Sequence, residues 1–307
     1  MPISSHDLIS IADLTDGDIE SLLESAATYA DVSERVIKKV PALRGRTIIN
    51  LFLEPSTRTR MSFEIAGKRL SADVINISAS GSSLKKGESL KDTAKTIEAM
   101  RVDAVVVRHW AAGAAYKLAE YIEPPVINAG DGAHEHPTQA LLDALTIKNR
   151  LEQISGLKVA VVGDIRHSRV ARSLITLLGR MGAEVMAVAP PMWLPPGLET
   201  LGCSVSYSLD DVLDSVDVIY LLRIQRERLS NHMFSEHEYA RTYCLNRERL
   251  DRAKPGCLVM HPGPMNRGIE IAADVADGKE SLITAQVANG VAVRMAVFYQ
   301  MLGDVAS

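Results

Sequence analysis

The sequence predicts an α/β fold of two domains, each a mainly parallel sheet flanked by helices, with a bridging helix between them. Short apolar runs alternate with segments of helical spacing, which is typical of parallel sheets covered on both faces. These runs form two series along the chain, one in each half. The length of 307 residues also favours two domains over one.

Eight runs are predicted to be strands because they are apolar, short and rich in β-branched residues. In the first half they are "TIINLFL", "DVINIS", "DAVVVRH" and "PPVINAG". In the second half they are "KVAVVGDI", "EVMAVAP", "VDVIYLL" and "CLVMHPG". Segments between them, such as "SLKDTAKTIEAM" and "RVARSLITLLGRMG", have the spacing of amphipathic helices.

Two further helical segments define the predicted domain boundaries. "HPTQALLDALTIKNRLEQ" lies between the two series and has a helical apolar face, so it is predicted to bridge the domains. "GVAVRMAVFYQMLGDVA" is a final apolar helix that could pack back onto the first domain. We therefore expect a first domain of residues 1–135 plus 288–307 and a second domain of residues 136–287.

The composition is that of an ordinary globular protein, with 47% hydrophobic and 23% charged residues. A net charge of −4 gives no global attraction to nucleic acid or to an anionic membrane, and neither is an expected partner. No apolar run approaches the roughly 18 residues of a membrane span, and the N-terminus does not resemble a signal peptide. We therefore expect a cytoplasmic protein.

The cysteines argue against a disulfide framework or a zinc site. Cys203, Cys244 and Cys257 are odd in number and have no Cys-x-x-Cys spacing. This pattern favours a reducing compartment. No other metal-ligand spacing is evident, so we expect neither a metal nor a cofactor.

The stretch "EPSTRTRMSFE" places small hydroxyls and an arginine where the first strand passes into a helix. A helix that begins at the carboxyl end of a parallel strand offers unpaired N–H groups to an anion. Ser56 and Thr59 can add hydroxyl donors, and Arg58 adds a forked cation suited to phosphate. The stretch alone is equally compatible with a simple N-cap at Ser56 and a solvated Arg58.

Polar residues also follow other predicted strands of the first half. Arg108 ends "DAVVVRH", and His136 precedes the bridging helix, where its imidazole could donate to a substrate carbonyl oxygen. The loop "SGSSLKKGES" could bring Lys85 and Lys86 over an anion, although a mobile surface loop is the better explanation of this stretch taken alone. It lacks the spacing of a P-loop.

The second half repeats the arrangement with different residues. Arg169 lies at a strand-to-helix turn, and Arg223 and Gln225 follow a later strand. Guanidinium and carboxylate pair through two parallel hydrogen bonds, so these arginines predict a ligand with carboxylates. No G-x-G-x-x-G follows the strand that ends near Gly163, which disfavours a dinucleotide site. "MHPGPMNRG" forms a rigid turn whose backbone carbonyls could face the ligand.

Together these motifs resemble the aspartate/ornithine carbamoyltransferase family. "FLEPSTRT", "SLKKGES", "VVVRH", "HPTQALLD", "VVGDIRHSR", "LLRIQRER" and "HPGPMNRG" occur in the order of the family and span essentially the whole chain. "HPTQ" and "HPGPMNR" resemble members that use aspartate, because members that use ornithine have "HPCQ" and a His-Cys-Leu-Pro turn. The resemblance implies carbamoyl transfer from carbamoyl phosphate to aspartate, a step of pyrimidine biosynthesis.

The resemblance also implies roles for individual residues. Those expected to bind carbamoyl phosphate are Ser56, Thr57, Arg58, Thr59, Arg108, His136, Gln139, Pro262 and Gly263. Those expected to bind aspartate are Lys86, Arg169, Arg223 and Gln225. The expected catalytic residues are Arg58, Thr59, Arg108, His136 and Lys86.

Within this set, Thr59, Arg108 and His136 are expected to polarise the carbamoyl oxygen and Gln139 to bind the amide. Gly263, where some relatives have Leu or Ala, is expected to act through its backbone carbonyl. Glu54 is expected to pair with Arg169 and Arg228 when the domain cleft closes.

The family pattern further implies shared active sites in a homotrimer. The loop with Ser82, Ser83 and Lys86 would come from the neighbouring chain, and either serine could be the contacting one. A regulatory chain or a dihydroorotase is a possible further partner. No Ser-His-Asp order or other nucleophile is evident, so we expect direct attack without a covalent intermediate.

Three alternatives remain open. One is a transcarbamoylase that uses a different amine. Another is a nucleotide-dependent oxidoreductase, suggested by the two α/β domains but disfavoured by the missing glycine fingerprint. The last is a non-catalytic assembly subunit, against which the complete set of predicted site residues argues.

Overall fold

The computed structural model describes residues 3–78, 87–225 and 235–303. The chain divides into two compact units, Met1–Leu145 with Ala288–Ser307 and Thr146–Val287. The division falls within the helix that follows His136. No helix among the described residues is both long enough and apolar enough to cross a membrane.

The strands of the first unit are β1 Thr47–Phe52, β2 Asp73–Ser78, β3 Ala104–His109 and β4 Val126–Asp131. Those of the second unit are β5 Lys158–Val162, β6 Glu184–Val188, β7 Ser204–Ser206, β8 Val218–Leu221 and β9 Leu258–Met260. The longer helices are α1 Asp16–Glu34, α2 Thr57–Arg69, α3 Leu90–Ala99, α5 Pro137–Leu151, α6 Arg169–Arg180 and α10 Ile283–Leu302. The shorter ones are α4 Ala114–Ala119, α7 Glu236–Tyr243, α8 Arg247–Asp251 and α9 Ala273–Ala276.

Both sheets are parallel, which confirms the predicted fold class. The first sheet has the strand order β2-β1-β3-β4, and the second has the order β7-β6-β5-β8-β9. In each sheet the direction of winding reverses between two central strands, β1 and β3 in the first and β5 and β8 in the second. Such a reversal opens a crevice beyond the carboxyl ends of those strands.

The middle of the central strands β3 and β5 is continuously apolar, as expected where helices cover both faces of a parallel sheet. Val105 and Val106 of β3 and Val161 and Val162 of β5 have no exposed surface. Each such side chain buried from water contributes roughly 1.5–3 kcal/mol. This continuous burial explains why alternation of polar and apolar residues was absent from the predicted strands.

All eight predicted strands are present, and β7 is an addition. It has three residues, Ser204–Ser206, and pairs only with β6 among the described residues. Its lone apolar residue, Val205, is flanked by serines, so no apolar run marked it in the sequence. An edge strand is covered less than a central one and needs less apolar surface.

The final helix, α10, packs onto the first unit. Phe298 contacts Phe63 of α2 edge to face, with ring centroids 5.6 Å apart. Gln300 Nε2 donates to the Ser21 carbonyl oxygen on α1 at 2.9 Å and to the Ser25 hydroxyl at 2.7 Å. Apolar and polar contacts therefore both hold the end of the chain against this unit.

Asp18 fastens the first residues of the chain to α1. Its carboxylate accepts hydrogen bonds from Ser4 N–H at 2.9 Å, Ser4 Oγ at 2.6 Å and Thr15 N–H at 2.9 Å. The Thr15 hydroxyl in turn accepts from Asp18 N–H, which completes a capping box. Burial raises the pKa of Asp18, but these hydrogen bonds outweigh it and lower the pKa from 3.8 to about 2.

We expect Asp18→Asn to lower the free energy of unfolding at pH 7 by about 1–2 kcal/mol. The folded-state pKa lies below the unfolded value, so the stabilisation is present above about pH 4 and is lost as the pH falls toward 2. Urea unfolding of both proteins between pH 7 and pH 3 measures the difference. A difference that stays constant over this range would contradict the role of the carboxylate charge.

Candidate active site

In the first unit, the predicted anion-binding residues lie at the reversal point of the sheet. Leu53 N–H, just beyond β1, donates to the Arg108 carbonyl oxygen of β3 at 2.8 Å. This bond brings the carboxyl ends of the two strands side by side. The turn that follows β1 leads directly into α2, so Ser56–Thr59 and Arg108 share one edge of the sheet.

Ser56 occupies the N-cap position of α2 but makes no side-chain capping bond. Ser56 therefore takes the N-cap position without capping the helix through its hydroxyl. Thr57 and Arg58 are exposed in the first turn, whereas Thr59 is buried. The first turn contains no acidic residue, so the positive end of the helix dipole is not neutralised locally.

Arg108 is oriented by two hydrogen bonds. Its Nη1 donates to the Ala129 carbonyl oxygen at 3.1 Å, and its Nη2 donates to Glu54 Oε1 at 3.1 Å. The exposed fractions of the two charged side chains are 15% and 21%, so the pair is largely withdrawn from water. This arrangement holds a cation in place beside the start of α2.

The residues around His136 are fixed by Asp131 at the end of β4. Asp131 accepts hydrogen bonds from Gly113 N–H at 2.7 Å and from Asn128 Nδ2 at 2.8 Å. Burial raises the pKa of Asp131, but its bonds to His134, Asn128 and Gly113 outweigh burial and lower the pKa. The carboxylate therefore stays charged and orders the turn that leads to His136.

His136 and Gln139 lie at the start of α5 and are buried, with exposed fractions of 3% and 8%. Pro137 is the first residue of the helix, a position that needs no backbone donor. Gln139 Nε2 donates to Asp143 Oδ1 at 3.0 Å, and Asp143 has no exposed surface. The amide of Gln139 is thus oriented from within the protein.

In the second unit, the predicted arginines also lie at a reversal point. Leu222 N–H, just beyond β8, donates to the Val162 carbonyl oxygen of β5 at 2.8 Å. Arg169 is the first residue of α6 and is only 6% exposed, and Arg223 follows β8 by two residues. The structure therefore brings together the strand ends that carry these two cations.

Asp164 connects the two strand ends of the second unit. It is fully buried and accepts from Gln225 N–H at 3.3 Å through Oδ2. Its Oδ1 lies 2.8 Å from His167 Nδ1. Sequence reasoning missed this residue, although a carboxylate at the end of an apolar run, as in "VVGD", was an available signal.

The turn that contains Pro262 and Gly263 is held by a buried dyad. His261 Nδ1 accepts from Gly263 N–H at 2.8 Å, so Nε2 carries the proton that faces Glu270 Oε1 at 3.1 Å. Gly263 has a φ of +62°, in the left-handed region that favours glycine. Gly263 was expected to act only through its backbone carbonyl. The structure shows that this position also requires a left-handed backbone conformation, which the sequence did not indicate.

Four predicted site residues lie outside the described residues, namely Ser82, Ser83, Lys86 and Arg228. Glu54, predicted to pair with Arg169 and Arg228, is paired in this structure with Arg108 of its own unit. The pairing with Arg169 and Arg228 stays a prediction.

Two family models match the chain. "Aspartate/ornithine carbamoyltransferase, carbamoyl-P binding domain" matches residues 6–149. "Aspartate/ornithine carbamoyltransferase, Asp/Orn binding domain" matches residues 155–301.

Similar proteins include two aspartate carbamoyltransferase catalytic subunits. The chain is 60% identical to that of Acidothermus cellulolyticus, over 96% of this chain and 92% of the relative. It is 58% identical to that of Thermobifida fusca, over 96% of this chain and 95% of the relative.

Solved structures of the same fold include an aspartate transcarbamoylase and an ornithine carbamoyltransferase. Aspartate transcarbamoylase from Trypanosoma cruzi, in complex with carbamoyl phosphate and aspartate, has a TM-score of 0.89, 31% identity, and coverage of 97% of this chain and 96% of that one. Ornithine carbamoyltransferase from Pyrococcus furiosus has a TM-score of 0.89, 29% identity and 99% coverage of both chains. The resemblance seen in the motifs is confirmed, and the chain belongs to the aspartate/ornithine carbamoyltransferase family.

Proposed function

We propose that this chain transfers the carbamoyl group of carbamoyl phosphate to the amine of L-aspartate, giving N-carbamoyl-L-aspartate and phosphate. The observation that carries the proposal is its identity of 58–60% over 96% of its length to relatives named aspartate carbamoyltransferase catalytic subunit. The Trypanosoma cruzi relative was solved with carbamoyl phosphate and aspartate. The cationic strand ends of both units suit these two anionic substrates.

In this proposal the first unit binds carbamoyl phosphate. The phosphate group of this substrate lies at the start of α2, where backbone N–H groups, three hydroxyls and Arg58 can donate hydrogen bonds to it. The donors to phosphate are Ser56, Thr57, Arg58, Thr59 and Arg108. The carbamoyl oxygen is polarised by Thr59, Arg108 and His136, and the carbamoyl amide is bound by Gln139.

Aspartate is bound by the second unit. Arg169 and Arg223 pair with its carboxylates, and Gln225 contacts its amine side. Lys86 adds a further cation, and the backbone carbonyls of Pro262 and Gly263 accept hydrogen bonds from amino groups of the substrates. The hydrogen bonds from the backbone N–H of Gln225 to Asp164 and from Gly263 N–H to His261 hold these segments in place, which supports this assignment.

The reaction is a direct attack. The aspartate nitrogen forms a bond to the carbamoyl carbon, negative charge develops on the carbamoyl oxygen, and the bond from carbon to the phosphate oxygen breaks. The amine proton passes to the departing phosphate, so no strong general base is required. Orientation can contribute up to roughly 7–11 kcal/mol in favourable cases, and each donor to the oxyanion about 3–4 kcal/mol.

Carbamoyl phosphate labelled with ¹³C, incubated with aspartate and the protein, tests the proposal. We expect the label to appear in N-carbamoyl-L-aspartate with stoichiometric phosphate. In the absence of aspartate, labelled phosphate is expected not to exchange into carbamoyl phosphate, because no carbamoyl-enzyme forms. Label that stays in carbamoyl phosphate or its breakdown products would overturn the proposed reaction, and rapid exchange would overturn direct attack.

We further infer a homotrimer whose active sites are shared, with Lys86 and either Ser82 or Ser83 supplied by the neighbouring chain. Motif similarity supports this inference, and a regulatory chain or a dihydroorotase is a compatible further partner. The described cysteines are free thiols, which supports a cytoplasmic location.

Shared sites predict complementation between inactive variants. Arg58→Ala chains and Lys86→Ala chains are each expected to be nearly inactive alone. After they are unfolded, mixed and refolded together, mixed trimers contain sites that carry neither substitution, so activity is expected to return. Activity that remains at the sum of the two parents, in mixtures that mass measurement shows to be mixed oligomers, would contradict sharing.

A further inference from the structure

Two opposite charges are buried in the first unit behind the start of α5. Asp143 on α5 has no exposed surface, and Arg294 on α10 is 3% exposed. Each is a single charge in an otherwise apolar helical segment, "ALLDAL" and "VAVRMAV". Burying such groups is costly, so a pair at this position requires an explanation beyond packing.

Asp143 contacts Gln139, the residue proposed to bind the carbamoyl amide of the substrate. Its Oδ1 accepts from Gln139 Nε2 at 3.0 Å, one helical turn away. A carboxylate can only accept hydrogen bonds, so it selects the amide orientation in which the Gln139 nitrogen faces Asp143. The Gln139 oxygen then points away from Asp143 as a hydrogen-bond acceptor.

Arg294 is the cation that interacts electrostatically with Asp143. Burial lowers the pKa of Arg294 to about 9, with Asp143 acting to raise it and Arg108 to lower it. The guanidinium is therefore still charged at pH 7. Its Nη1 donates to Ser62 Oγ on α2 at 2.8 Å and to the Gly290 carbonyl oxygen at 3.0 Å, and it lies 4.8 Å from the Phe63 ring centre. These contacts fix the cation near Asp143.

We propose that Asp143 is a positioning residue that turns the Gln139 amide oxygen toward the NH₂ group of the carbamoyl substrate. The site would thereby select an acyl phosphate with an amino group over one with a methyl group. This inference rests on the proposed function, in which Gln139 binds the carbamoyl amide. Asp143 itself touches no substrate.

An asparagine at position 143 cannot do the same work. Arg294 is a charged donor and attracts the asparagine oxygen, so the asparagine nitrogen turns toward Gln139. Gln139 must then present its own oxygen to that nitrogen and its NH₂ group to the substrate. Two donors would face each other where the carbamoyl NH₂ binds, which leaves a buried hydrogen bond unmade.

The test compares carbamoyl phosphate with acetyl phosphate, which has a methyl group in place of NH₂. Steady-state kinetics give kcat/KM for carbamoyl phosphate, and competition gives the inhibition constant of acetyl phosphate. For Asp143→Asn we expect kcat/KM to fall about 10- to 100-fold. The inhibition constant of acetyl phosphate is expected to stay within about twofold of the wild-type value, because acetyl phosphate has no NH₂ group for Gln139 to bind. A merely structural defect would weaken both ligands together, and that result would overturn the proposal.

Two further variants strengthen the comparison. Gln139→Ala removes the oriented group, so adding Asp143→Asn to it should change the preference no further. Asp92→Asn, the same change at an exposed carboxylate on α3 that accepts from Ser89 Oγ, should leave both constants unchanged. An additional loss of preference in the Gln139→Ala background would show that Asp143 does not act through Gln139.

Asp143→Asn leaves Arg294 without its carboxylate and can impair folding. The variant Asp143→Ala with Arg294→Met removes both charges and still offers Gln139 no acceptor. It is expected to lose the same preference for carbamoyl phosphate, and retention of the preference in it would overturn the proposal. A wild-type chain that forms no N-carbamoyl-L-aspartate would instead refute the proposed function.

Discussion

Arg58→Ala is expected to lower kcat by about 100- to 1,000-fold, the largest effect of any single exposed residue in the chain's proposed site. Arg58 lies in the first turn of α2, where the forked guanidinium can donate to phosphate as charge moves onto it. Because the side chain is exposed, the unfolding free energy should change little. Initial rates with both substrates saturating measure the effect, and urea unfolding checks the fold.

Arg60→Ala is the matched control for this prediction. It removes the same side chain from the same helix two residues later, where the helical period turns it away from Arg58. Its kcat should therefore stay close to that of the wild type. Equal losses of kcat in the two variants would mean that only the total positive charge of α2 affects turnover and that Arg58 does not contact the phosphate.

Arg223→Ala is expected to act on aspartate and to spare carbamoyl phosphate. Removal of one partner from a hydrogen-bonded charge pair costs about 2–5 kcal/mol, so kcat/KM for aspartate should fall about 30-fold or more. Arg223 lies at the carboxyl end of β8 in the unit matched by the Asp/Orn binding domain model. The equilibrium affinity for carbamoyl phosphate, measured without aspartate, should be unchanged.

Arg172→Ala provides the comparison for Arg223. Arg172 is an exposed residue of α6, one turn after Arg169, and its loss should leave the kcat/KM for aspartate near the wild-type value. A drop in carbamoyl phosphate affinity in Arg223→Ala, with kcat/KM for aspartate maintained, would reverse the assignment of this arginine.

The sequence predicted the candidate site residues whose choice depends only on local chain order. Arg58, Arg108, Arg169 and Arg223 each follow an apolar run, and in a parallel sheet such runs end at one edge. The structure places these arginines at the reversal points of the two sheets, and this placement depends on strand order. The sequence did not specify the strand order, but the motifs identified the residues without it. Polar residues at strand ends are therefore informative without a topology.

The supporting residues could not be predicted in the same way. Arg294 and Ser62 are 232 positions apart, and no periodicity connects them. Asp143 was visible in the sequence as an isolated charge within a predicted helix. Its importance becomes clear only because the structure shows that this face of the helix is buried. The left-handed conformation of Gly263 likewise depends on how His261 and Glu270 hold the turn, which is a tertiary property.

A competition between two amines tests the central claim most directly. The protein is given labelled carbamoyl phosphate with equal concentrations of aspartate and ornithine, and the labelled products are separated and counted. Our account predicts N-carbamoyl-L-aspartate as essentially all of the product, because it assigns the arginines of the second unit to the carboxylates of aspartate. Label found mainly in citrulline, or equally in both products, would contradict it.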